Sequence, residues 1–467
     1  MKINVGYLPT FLFYILKNVD IAKKGCYNIL INFTIFYAHI VIDCEGKMAN
    51  KIQKPRGTMD IFPQDARVWQ KIEKKAREVA SLYGFGEVRT PTFEELALFK
   101  RGVGEVTDVV QKEMYTFEDR EGRVFALRPE GTASVVRSII ENGKTSDAMP
   151  LKYYYIINCF RYEKPQAGRS REFFQFGTEM FGTQDASADA TVIALANTLI
   201  NSLGIKDVSL HINSIGCPNC RPKYREALVE YFKSHEDELC PTCQERLKTN
   251  PLRVLDCKSP ICSEIAKGAP KTIDHLCDEC NEHFEDLKSY LEAQGISYTV
   301  DPKIVRGLDY YTKTVFEFIC DSIGAQSTIC GGGRYDGLME QLGGPSLPGI
   351  GFGMGLTRLI LAMEASGNAI VDEPQPVLYI APMGKDARRF AIKAVDKLRQ
   401  NGVYAECDIT GRSLKAQMKY ADKIGAKYTL ILGDSELENG KAQLKNMAES
   451  SQEEIEIDNI CEIIMSK

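Results

Sequence analysis

The sequence lacks a strong excess of charge of either sign: 58 Lys and Arg stand against 63 Asp and Glu, a net charge of −5 over 467 residues. That balance neither favours nor excludes a nucleic-acid partner, because phosphate contacts depend on where Lys and Arg lie. A secretory signal with a small-residue cleavage site is also lacking. We therefore expect a cytoplasmic protein whose 15 cysteines stay reduced.

Charged side chains are scarce in residues 1–47, which contain two aromatic and apolar runs, Leu8–Leu16 and Tyr27–Ile42. The second run approaches the lower limit for a membrane span, but it carries polar side chains. We expect translation to start at Met48 and residues 1–47 to be a non-native or disordered extension. A membrane anchor is the alternative for this segment; otherwise no membrane partner is expected.

The pattern of secondary structure divides the rest of the chain, which is long enough for two or three domains. Over 48–370, short strands mix with helices without regular alternation, which favours an antiparallel or mixed sheet in an α+β domain. A charged, cysteine-rich and mostly helical insertion interrupts this domain at 217–300. After a proline-rich linker, strands and helices alternate over 376–467, which indicates a separate α/β domain.

Residues 152–181 predict an antiparallel hairpin: two strands rich in aromatic residues flank a polar loop with several Arg and Lys. Side chains alternate across a strand, so Phe173, Gln175, Gly177 and Glu179 share one face. A ring, an amide and a carboxylate beside a glycine make a poor hydrophobic core. They suit a ligand-binding floor; a solvent-exposed sheet face is the alternative.

A second ligand-binding element is predicted at Gly349–Gly355, where glycines alternate with larger residues. In a strand, this alternation leaves one face without side chains, so that a flat ligand can approach the backbone. Arg358 follows in the first turn of a predicted helix, where it can reach a phosphate. A packing role for the glycines is the alternative.

Both elements resemble motifs of the class II aminoacyl-tRNA synthetases. The pattern Phe-Arg-Tyr-Glu…Arg-Ser-Arg-Glu-Phe of the hairpin is similar to motif 2, and Gly-x-Gly-x-Gly-x-x-Arg is similar to motif 3. The helix at 67–83, with the strand that follows to Pro91, resembles motif 1, which builds the dimer interface in that class. The resemblance implies an antiparallel catalytic sheet, a homodimer, and ATP with Mg²⁺. It assigns ATP contacts to Arg161 at the α-phosphate, Glu163 at the adenine amino group, Phe173 stacked on adenine, Arg169 at the γ-phosphate, and Arg358.

Further segments resemble those specific to the histidyl-tRNA synthetases: Arg306-Gly-Leu-Asp-Tyr-Tyr-Thr312, Cys330-Gly-Gly-Gly-Arg-Tyr-Asp-Gly337, and Leu127-Arg-Pro-Glu-Gly-Thr132. Imidazole is a planar ring with two nitrogens, so a selective pocket needs polar groups at both edges. A site that hydrogen-bonds such groups rejects analogues that lack them. The resemblance assigns histidine binding to Glu130, Gly131, Thr132, Arg161, Gln175, Glu179, Arg306, Tyr310 and Tyr311.

The segment from Arg306 to Tyr311 is expected to be part of a strand, with Arg306, Leu308 and Tyr310 on one face and the residues between them on the other. By the resemblance, the two tyrosines select histidine, whereas Arg306 acts at the α-phosphate of ATP. The alternative is that the two tyrosines are ordinary aromatic residues of a strand and bind no ligand.

The resemblance implies a histidine–tRNA ligase, which activates L-histidine with ATP and transfers it to the 3′ end of tRNA(His). Arg161 and Arg306 are expected to act in catalysis by neutralising charge at the α-phosphate. None of the five histidines lies in the matched segments, so acid–base chemistry by histidine is not expected. The alternative is the non-catalytic, synthetase-like regulatory subunit of ATP phosphoribosyltransferase, which lacks the anticodon domain.

Eight cysteines lie between residues 217 and 280. Cys217, Cys220, Cys240 and Cys243 form a CxxC…CxxC pair whose spacing suits a structural zinc site with four thiolates. A second set, Cys257, Cys262, Cys277 and Cys280, is less regularly spaced. Free thiols in a helical insertion are the alternative, because an insertion is general in the resembled family and a metal in it is not.

The C-terminal domain is predicted to carry a basic surface. Residues 384–427 contain eleven Lys and Arg against five Asp and Glu. Arg412, Lys415, Lys419 and Lys423 are spaced to line one face of a helix. The position of the domain and its Gly411-Arg-Ser-Leu-Lys pattern resemble the anticodon-binding domain of the family, which implies contact with tRNA. A solvated helix face is the alternative.

Overall fold

A computed structural model describes residues 52–467 except residues 105, 106, 108, 256 and 258. The predictions for residues 1–47, including the start at Met48, lie outside the described residues. Among those that are described, no helix combines the length and the apolar character needed to cross a bilayer.

The strands and helices of the described residues are numbered in chain order. The strands are β1 (Gly86–Glu87), β2 (Phe93–Glu95), β3 (Thr116–Glu118), β4 (Val124–Leu127), β5 (Leu151–Phe160), β6 (Glu172–Phe181), β7 (Val208–Ser214), β8 (Thr299–Val300), β9 (Thr312–Cys320), β10 (Thr328–Arg334), β11 (Gly349–Gly355), β12 (Leu378–Pro382), β13 (Ala405–Cys407), β14 (Tyr428–Leu432), β15 (Lys441–Asn446) and β16 (Gln452–Glu456). The α-helices are α1 (Pro63–Leu82), α2 (Leu96–Val103), α3 (Thr132–Glu141), α4 (Ala186–Ser202), α5 (Arg221–Lys233), α6 (Pro241–Thr249), α7 (Pro260–Ala266), α8 (Asp278–Ala293), α9 (Leu338–Gln341), α10 (Leu356–Ala365), α11 (Lys385–Gln400), α12 (Leu414–Lys423), α13 (Asp434–Asn439) and α14 (Ile460–Met465).

Eight strands form one mixed sheet in the order β1-β5-β6-β11-β10-β9-β7-β8. The inner neighbours pair in antiparallel fashion. At the two edges, β1 pairs with β5 and β8 pairs with β7 in parallel. The predicted α+β fold with an antiparallel sheet is therefore confirmed.

Strands β5 and β6 form the predicted hairpin, and the predicted strand starts at 152 and 173 each differ from the structure by one residue. Their aromatic and β-branched residues favour the extended backbone. The predicted alternation of faces also holds. Phe176 and Met180 belong to the large core that α4 covers, whereas Tyr155, which is paired with Gly177, belongs to a second core on the other side.

Helix α1 covers the first of these cores. It begins at Pro63, whose fixed φ suits the first turn of a helix. Trp69, Ile72, Ala76 and Val79 are buried at the three- and four-residue spacing of an amphipathic helix. Helix α1 thus corresponds to the helix predicted from the same apolar stripe.

The segment from Arg306 to Tyr311 is a loop that leads into β9, so the predicted strand through it is wrong. Arg306 has a left-handed backbone with a φ of 53°, which interrupts an extended chain. A strand would send Tyr310 and Tyr311 to opposite faces. The loop instead buries both rings in one cluster, with their centroids 4.7 Å apart.

The cysteine-rich segment between β7 and β8 contains α5, α6, α7 and α8, and its thiols form two clusters. Their members are Cys217, Cys220, Cys277 and Cys280 in one cluster, and Cys240, Cys243, Cys257 and Cys262 in the other. The structure corrects the predicted grouping, because the two CxxC pairs do not share a cluster. Helix α5 lies between the pairs, and its 13 residues span about 20 Å.

The C-terminal residues form a five-stranded sheet in the order β13-β12-β14-β15-β16. The predicted alternation of strand and helix is observed from β12 to β14, where the strands are parallel. Strands β15 and β16, which were not predicted, extend the sheet in antiparallel fashion. This sheet and helices α11 and α14 share a hydrophobic core of their own.

Candidate active site

A cleft of about 780 Å³ joins four segments that are far apart in the sequence: the hairpin loop, the loop before β9, β10, and the end of β11 with the start of α10. Of the residues assigned from the sequence, the cleft is lined by Arg161, Glu163, Arg169, Phe173, Gln175, Arg306 and Arg358. The remaining ones, Glu130, Gly131, Thr132, Glu179, Tyr310 and Tyr311, are buried. Two contacts link the residues that line the cleft to the buried segments. Arg161 Nε donates to the carbonyl of Pro129, next to Glu130, at 2.9 Å, and the Arg306 guanidinium lies 5.9 Å from the Tyr311 ring.

Three arginines gather at one end of the cleft. Arg358, in the first turn of α10, donates to the carbonyls of Gly168 at 3.1 Å and Thr328 at 2.6 Å. Burial, followed by repulsion from Arg169 and Arg161, lowers the pKa of Arg358 to about 10. A polyanion would relieve this repulsion, and guanidinium groups bind phosphate oxygens in a bidentate manner.

The hairpin loop contains the residues assigned to adenine and the γ-phosphate. Glu163 and Arg169, predicted to bind opposite ends of ATP, form an ion pair at 3.0 Å. A bound nucleotide would have to replace this pair with its own contacts. The Phe173 ring lies 5.4 Å from the Arg161 guanidinium, so a base stacked on Phe173 would bring its phosphates towards Arg161.

Arg306 extends from its loop to the strands beneath the cleft. Its guanidinium forms an ion pair with Glu317, and Glu317 also accepts a hydrogen bond from the Thr328 hydroxyl at 2.9 Å. Burial opposes the charge of Arg306, but Glu317 and Tyr311 outweigh burial and raise its pKa. A Cβ at Gly331 would lie 2.4 Å from Arg306 Nη1. The glycine in the Cys330–Gly337 segment therefore provides room for this arginine.

Glu179 lies in the second core, fully buried. It accepts hydrogen bonds from the hydroxyl groups of Tyr155, at 3.1 Å, and Tyr335. Burial raises the pKa of the Glu179 carboxyl to about 8, although the hydrogen bonds oppose this shift. A carboxyl with this pKa is largely protonated at neutral pH and can donate or accept a hydrogen bond.

Glu130 is held rigidly at the start of α3. Its two carboxylate oxygens accept from the backbone N–H groups of Thr132 at 2.7 Å and Ala133 at 2.8 Å. Burial raises the pKa of Glu130, and these two hydrogen bonds counteract part of the rise. Each oxygen retains a lone pair, so the carboxylate can still accept from a substrate ammonium group.

Tyrosines enclose this part of the site. The Tyr310 ring lies 4.7 Å from Tyr311 and 5.6 Å from Tyr335 between ring centroids. Burial raises the pKa of Tyr310 well above its usual value, so its hydroxyl stays neutral. Neutral hydroxyls and buried carboxyls together suit a small polar ring that needs partners at two edges.

The glycines of β11 serve a different purpose from the one predicted. A Cβ at Gly351 would lie 2.0 Å from Glu179 Oε2, and a Cβ at Gly353 would lie 2.1 Å from Gln175 Nε2. These side chains of β6 cross over the neighbouring strand and occupy the space above its glycines. The prediction of an open backbone is therefore wrong at Gly351, whereas Gly353 and Gly355 line the cleft, and Gly355 has nothing within 4 Å of its Cβ position.

Sequence reasoning missed Tyr155 and Tyr335 as members of the pocket. The glycines that Tyr155 faces are a sequence signal for it. A Cβ at Gly131 would lie 2.5 Å from the Tyr155 ring, and a Cβ at Gly177 would lie 2.3 Å from it. Tyr335 lies within the matched segment Cys330–Gly337, but only the fold brings it to Glu179.

A buried ion-pair network anchors the segment that carries Tyr335. Arg334 and Asp189 are fully buried and form an ion pair. His283 Nε2 lies 2.8 Å from the same Asp189 carboxylate. Sequence reasoning missed these three residues as well, because α4, α8 and β10 meet only in the folded chain.

The antiparallel sheet, the arginine-rich hairpin and the glycine strand that ends at Arg358 define the catalytic fold of the class II aminoacyl-tRNA synthetases. The family model for histidyl-tRNA synthetase matches residues 57–359, and the model for the anticodon binding domain matches residues 378–467. The chain belongs to the histidyl-tRNA synthetase family.

Relatives and solved structures agree with this assignment. The histidine–tRNA ligase of Caldanaerobacter subterraneus subsp. tengcongensis is 54% identical over 406 residues, which are 87% of this chain and 97% of that protein. The histidine–tRNA ligase of Clostridium perfringens strain SM101 is 53% identical over 411 residues, again 87% and 97%. The apo histidyl-tRNA synthetase of S. aureus superimposes with a TM-score of 0.75 at 43% identity, covering 88% of this chain and 99% of that one.

Proposed function

We propose that the protein is a histidine–tRNA ligase, which joins L-histidine to the 3′ end of tRNA(His) at the expense of ATP. The observation that carries this proposal is that an arginine-lined cleft adjoins a buried cluster of tyrosines with Glu130 and Glu179. The cleft suits a triphosphate, and the hydrogen-bonding groups of the cluster suit an uncharged polar ring. Arg306 and Arg161 stand where the two meet.

In the first step, the histidine carboxylate attacks the α-phosphorus of ATP, and pyrophosphate leaves. Both reactants are anions, so the barrier is lowered by groups that neutralise charge and hold the two in line. Arg161 and Arg306 would supply that charge. In the second step, a ribose hydroxyl of the tRNA takes the histidyl group and AMP leaves.

Membership of the class implies that Mg²⁺ accompanies ATP. In such sites Mg²⁺ is held mainly by phosphate oxygens and water, with one or two carboxylates. Glu317 lines the cleft, so a carboxylate that fits this ion is present. When bound, it would offset phosphate charge. The zinc expected from the cysteines would take no part in this chemistry, because the clustered thiols do not line the cleft.

The second candidate, a non-catalytic regulatory subunit of ATP phosphoribosyltransferase, lacks an anticodon domain, whereas this chain has a match to one at residues 378–467. Exchange of pyrophosphate into ATP, measured with each of the twenty amino acids in turn, separates the two. We expect exchange with histidine alone. Exchange with no amino acid would favour the regulatory subunit, and exchange with a different one would refute histidine specificity.

The C-terminal domain offers a surface for tRNA. Lys415, Lys419 and Lys423 are exposed along α12, and Arg412 stacks over the Tyr420 ring at 4.2 Å. A groove beside them is lined by Arg389, Ile392, Arg399 and Ile409, among other residues. Ile392 and Ile409 are 52% and 81% exposed. Arg412 and Tyr420 also line the groove, and guanidinium and aromatic planes suit stacking by unpaired RNA bases.

We infer that the protein forms a homodimer and works in the cytoplasm. Phe93, Phe117 and Phe125 contact one another on the sheet formed by β2, β4 and β3, with centroids 5.7, 5.6 and 5.9 Å apart. Phe93 and Phe117 are nevertheless 48% and 41% exposed, as expected of an association surface. The free cysteines among the described residues suit a reducing compartment.

Sedimentation tests the dimer. We expect twice the chain mass for the unaltered protein and the chain mass for Phe117→Asp. Tyr404→Asp, at an exposed aromatic of the C-terminal domain, is the control and should keep twice the chain mass. A monomer at micromolar concentration would contradict this inference and leave the enzymatic proposal intact.

A further inference from the structure

The two thiol clusters of the insertion have the geometry of metal sites. Within each cluster, the four Sγ atoms lie within 4.8 Å of one another. We name them the first tetrad (Cys217, Cys220, Cys277 and Cys280) and the second tetrad (Cys240, Cys243, Cys257 and Cys262). Each tetrad combines one CxxC pair with two cysteines from later in the chain, and five of the eight thiols are buried.

The sulfur–sulfur distances match a tetrahedron around one ion. In the first tetrad, Cys220 Sγ lies 3.7 Å from Cys217 Sγ and 3.8 Å from Cys280 Sγ, and Cys217 Sγ lies 3.8 Å from Cys277 Sγ. In the second tetrad, Cys240 Sγ lies 3.9 Å from Cys257 Sγ. Four thiolates at the usual zinc–sulfur distance of about 2.3 Å have edges of about 3.8 Å.

The backbone around the thiols is arranged for charged sulfur. The N–H of Cys217 donates to Cys220 Sγ at 3.1 Å, and the N–H of Cys240 donates to Cys262 Sγ at 3.2 Å. Such N–H donors orient the ligands of metal sites and stabilise them as thiolates. Gly216 has a φ of +70°, and a Cβ there would lie 2.6 Å from Cys220 Sγ. Glycine at this position provides room for the thiol.

Two other uses of four cysteines fit less well. A disulfide needs sulfur atoms about 2.05 Å apart, and all eight cysteines are free. In a four-iron cluster each thiolate binds a different iron, which keeps the sulfurs further apart than the edge of a single-ion tetrahedron. One tetrahedral ion per tetrad remains, and four thiolates in a closed site select zinc.

We propose that each chain binds two structural zinc ions, one in the first tetrad and one in the second. The insertion depends on them because α6 and α7 have only 9 and 7 residues, and small units without a large core are stabilised by metal ligation. The first zinc joins the start of α5 to the start of α8. The second zinc joins the start of α6 to the start of α7.

The two zinc ions also position the loop that carries Tyr310 and Tyr311. Arg221, next to Cys220, donates to the carbonyl of Tyr311. Glu279, next to Cys280, forms an ion pair at 2.6 Å with Lys313, just after the loop. The first tetrad is thus tied directly to the C-terminal end of this loop.

The second tetrad is tied to the other end of the loop. Asn250 and Arg253 lie between Cys243 and Cys257 in the sequence. Asn250 Nδ2 donates to Asp309 Oδ1, and Arg253 Nη1 donates to the carbonyl of Arg306, both at 3.0 Å. The loop is therefore held from both sides by residues next to or between zinc ligands. This positioning role rests on the proposed function, whereas zinc binding does not.

Metal analysis of the purified full chain tests zinc binding without any activity measurement. We expect two zinc ions per chain, and release of both when the thiols are titrated with a mercurial reagent. Cys280→Ser and Cys243→Ser should each contain one zinc, and Cys407→Ser, a half-buried cysteine outside both tetrads, should retain two. Less than one zinc per chain, or iron in its place, would overturn the proposal. If the unaltered chain contains only one zinc, one tetrad does not bind metal. It is the tetrad whose Cys→Ser variant still contains that zinc, and the proposal fails for it.

Hydrogen exchange and kinetics test the positioning role. On loss of either zinc, the amides of residues 303–313 should exchange faster and the KM for histidine should rise about 10-fold, whereas Cys407→Ser should change neither. An unchanged KM for histidine, or unchanged exchange in that segment, would reduce the zinc ions to structural elements of the insertion. If a serine variant fails to fold, the metal content of the unaltered chain still decides whether zinc is bound.

Discussion

The arginine-lined cleft and the buried cluster of tyrosines and carboxyls form two ends of the site that differ in their charge. We call them the phosphate end and the histidine end. The phosphate end contains four arginines, Arg161, Arg169, Arg306 and Arg358, and two of them, Arg169 and Arg306, keep 38% and 20% of their side chains exposed. The histidine end contains two carboxyls and four tyrosines: Glu130, Glu179, Tyr155, Tyr310, Tyr311 and Tyr335. Glu179 is fully buried, and its pKa is raised to about 8. One end offers fixed positive charge, and the other offers buried hydrogen-bonding groups, among which the Tyr310 hydroxyl is neutral and Glu130 is placed to accept from an ammonium group.

Under the proposed function, this difference follows from what each end would recognise. Phosphate carries charge that any well-placed cation neutralises, so the phosphate end can serve every enzyme of the class. An amino acid side chain must be distinguished from close analogues. Buried polar groups do this because a ligand that leaves them unpaired loses their full desolvation energy. On this proposal, charge provides rate at one end, and burial provides selectivity at the other.

The largest expected effect comes from Arg306, which belongs to the phosphate end and also contacts Tyr311 of the histidine end. Arg306→Ala should slow histidine-dependent pyrophosphate exchange by about 10²–10³-fold, the usual loss for one group that stabilises developing charge. Arg123→Ala, which removes an exposed guanidinium paired with Asp119, is the matched control and should retain full activity. Unchanged exchange in the Arg306 variant would refute its role at the phosphate end.

A smaller effect, confined to the KM for the substrate histidine, is expected when Tyr335 is substituted. Tyr335→Phe removes a hydroxyl that donates to the buried Glu179 carboxyl. The cost of about 1–3 kcal/mol for an unpaired buried group corresponds to roughly a 5- to 150-fold rise in the KM for histidine, with the KM for ATP unchanged. Tyr290→Phe, at a partly exposed position on α8, controls for the loss of a hydroxyl. A rise in the KM for ATP of the same size would contradict the separation of the two ends.

The raised pKa of Glu179 predicts a dependence of stability on pH. Because this pKa is raised from 4.5 to about 8, the folded chain binds more protons at Glu179 than the unfolded chain between these values. The contribution of Glu179 to the free energy of unfolding therefore falls as pH rises through this range, by at most ~1.4 kcal/mol per pH unit.

Glu179→Gln, which is neutral throughout, should remove this part of the slope. Urea unfolding from pH 5 to pH 8 measures it, and the variant should gain stability relative to the unaltered chain as pH rises. Parallel curves for the two proteins would show that Glu179 is ionised in the folded state at all these pH values, and the contrast between the two ends would be lost.

The smallest effect is expected far from the cleft. Lys419→Ala removes one exposed cation of α12 and should lower the salt dependence of the KM for tRNA by about one unit of log–log slope, without altering pyrophosphate exchange. Lys441→Ala, in β15 of the same domain, removes a cation that is paired with Glu454 on the neighbouring strand, and it should leave the slope unchanged. Equal effects of the two variants would argue against α12 as a tRNA surface.

Much of the fold follows from short-range pattern. The alternation in β5 and β6 placed Glu179 and Phe176 on opposite faces, and the structure agrees. The apolar stripe of α1 and the change to alternating strands and helices before β12 are also local signals, and both elements are present. These predictions hold because the period of a strand or helix depends on neighbouring residues alone.

Predictions that required distant residues to meet were less accurate. The thiol grouping was wrong because α5 separates the two CxxC pairs. The strand at 306–311 was wrong because Arg306 takes a left-handed conformation in which its guanidinium pairs with Glu317. Gly351 of β11 was misread because the side chain above it belongs to β6, the neighbour of β11 in the sheet but distant in sequence.

The sequence alone determined the class of chemistry, since the motifs around Arg161, Arg306 and Arg358 are contiguous stretches that can be read without a fold. Only the tertiary structure decided which groups share a pocket. Burial of Glu179 beneath the hydroxyls of Tyr155 and Tyr335, and the division of eight thiols into two tetrads, arise from packing between segments far apart in the chain. Desolvation and coordination act through space, and spatial proximity between such segments is created only when the chain folds.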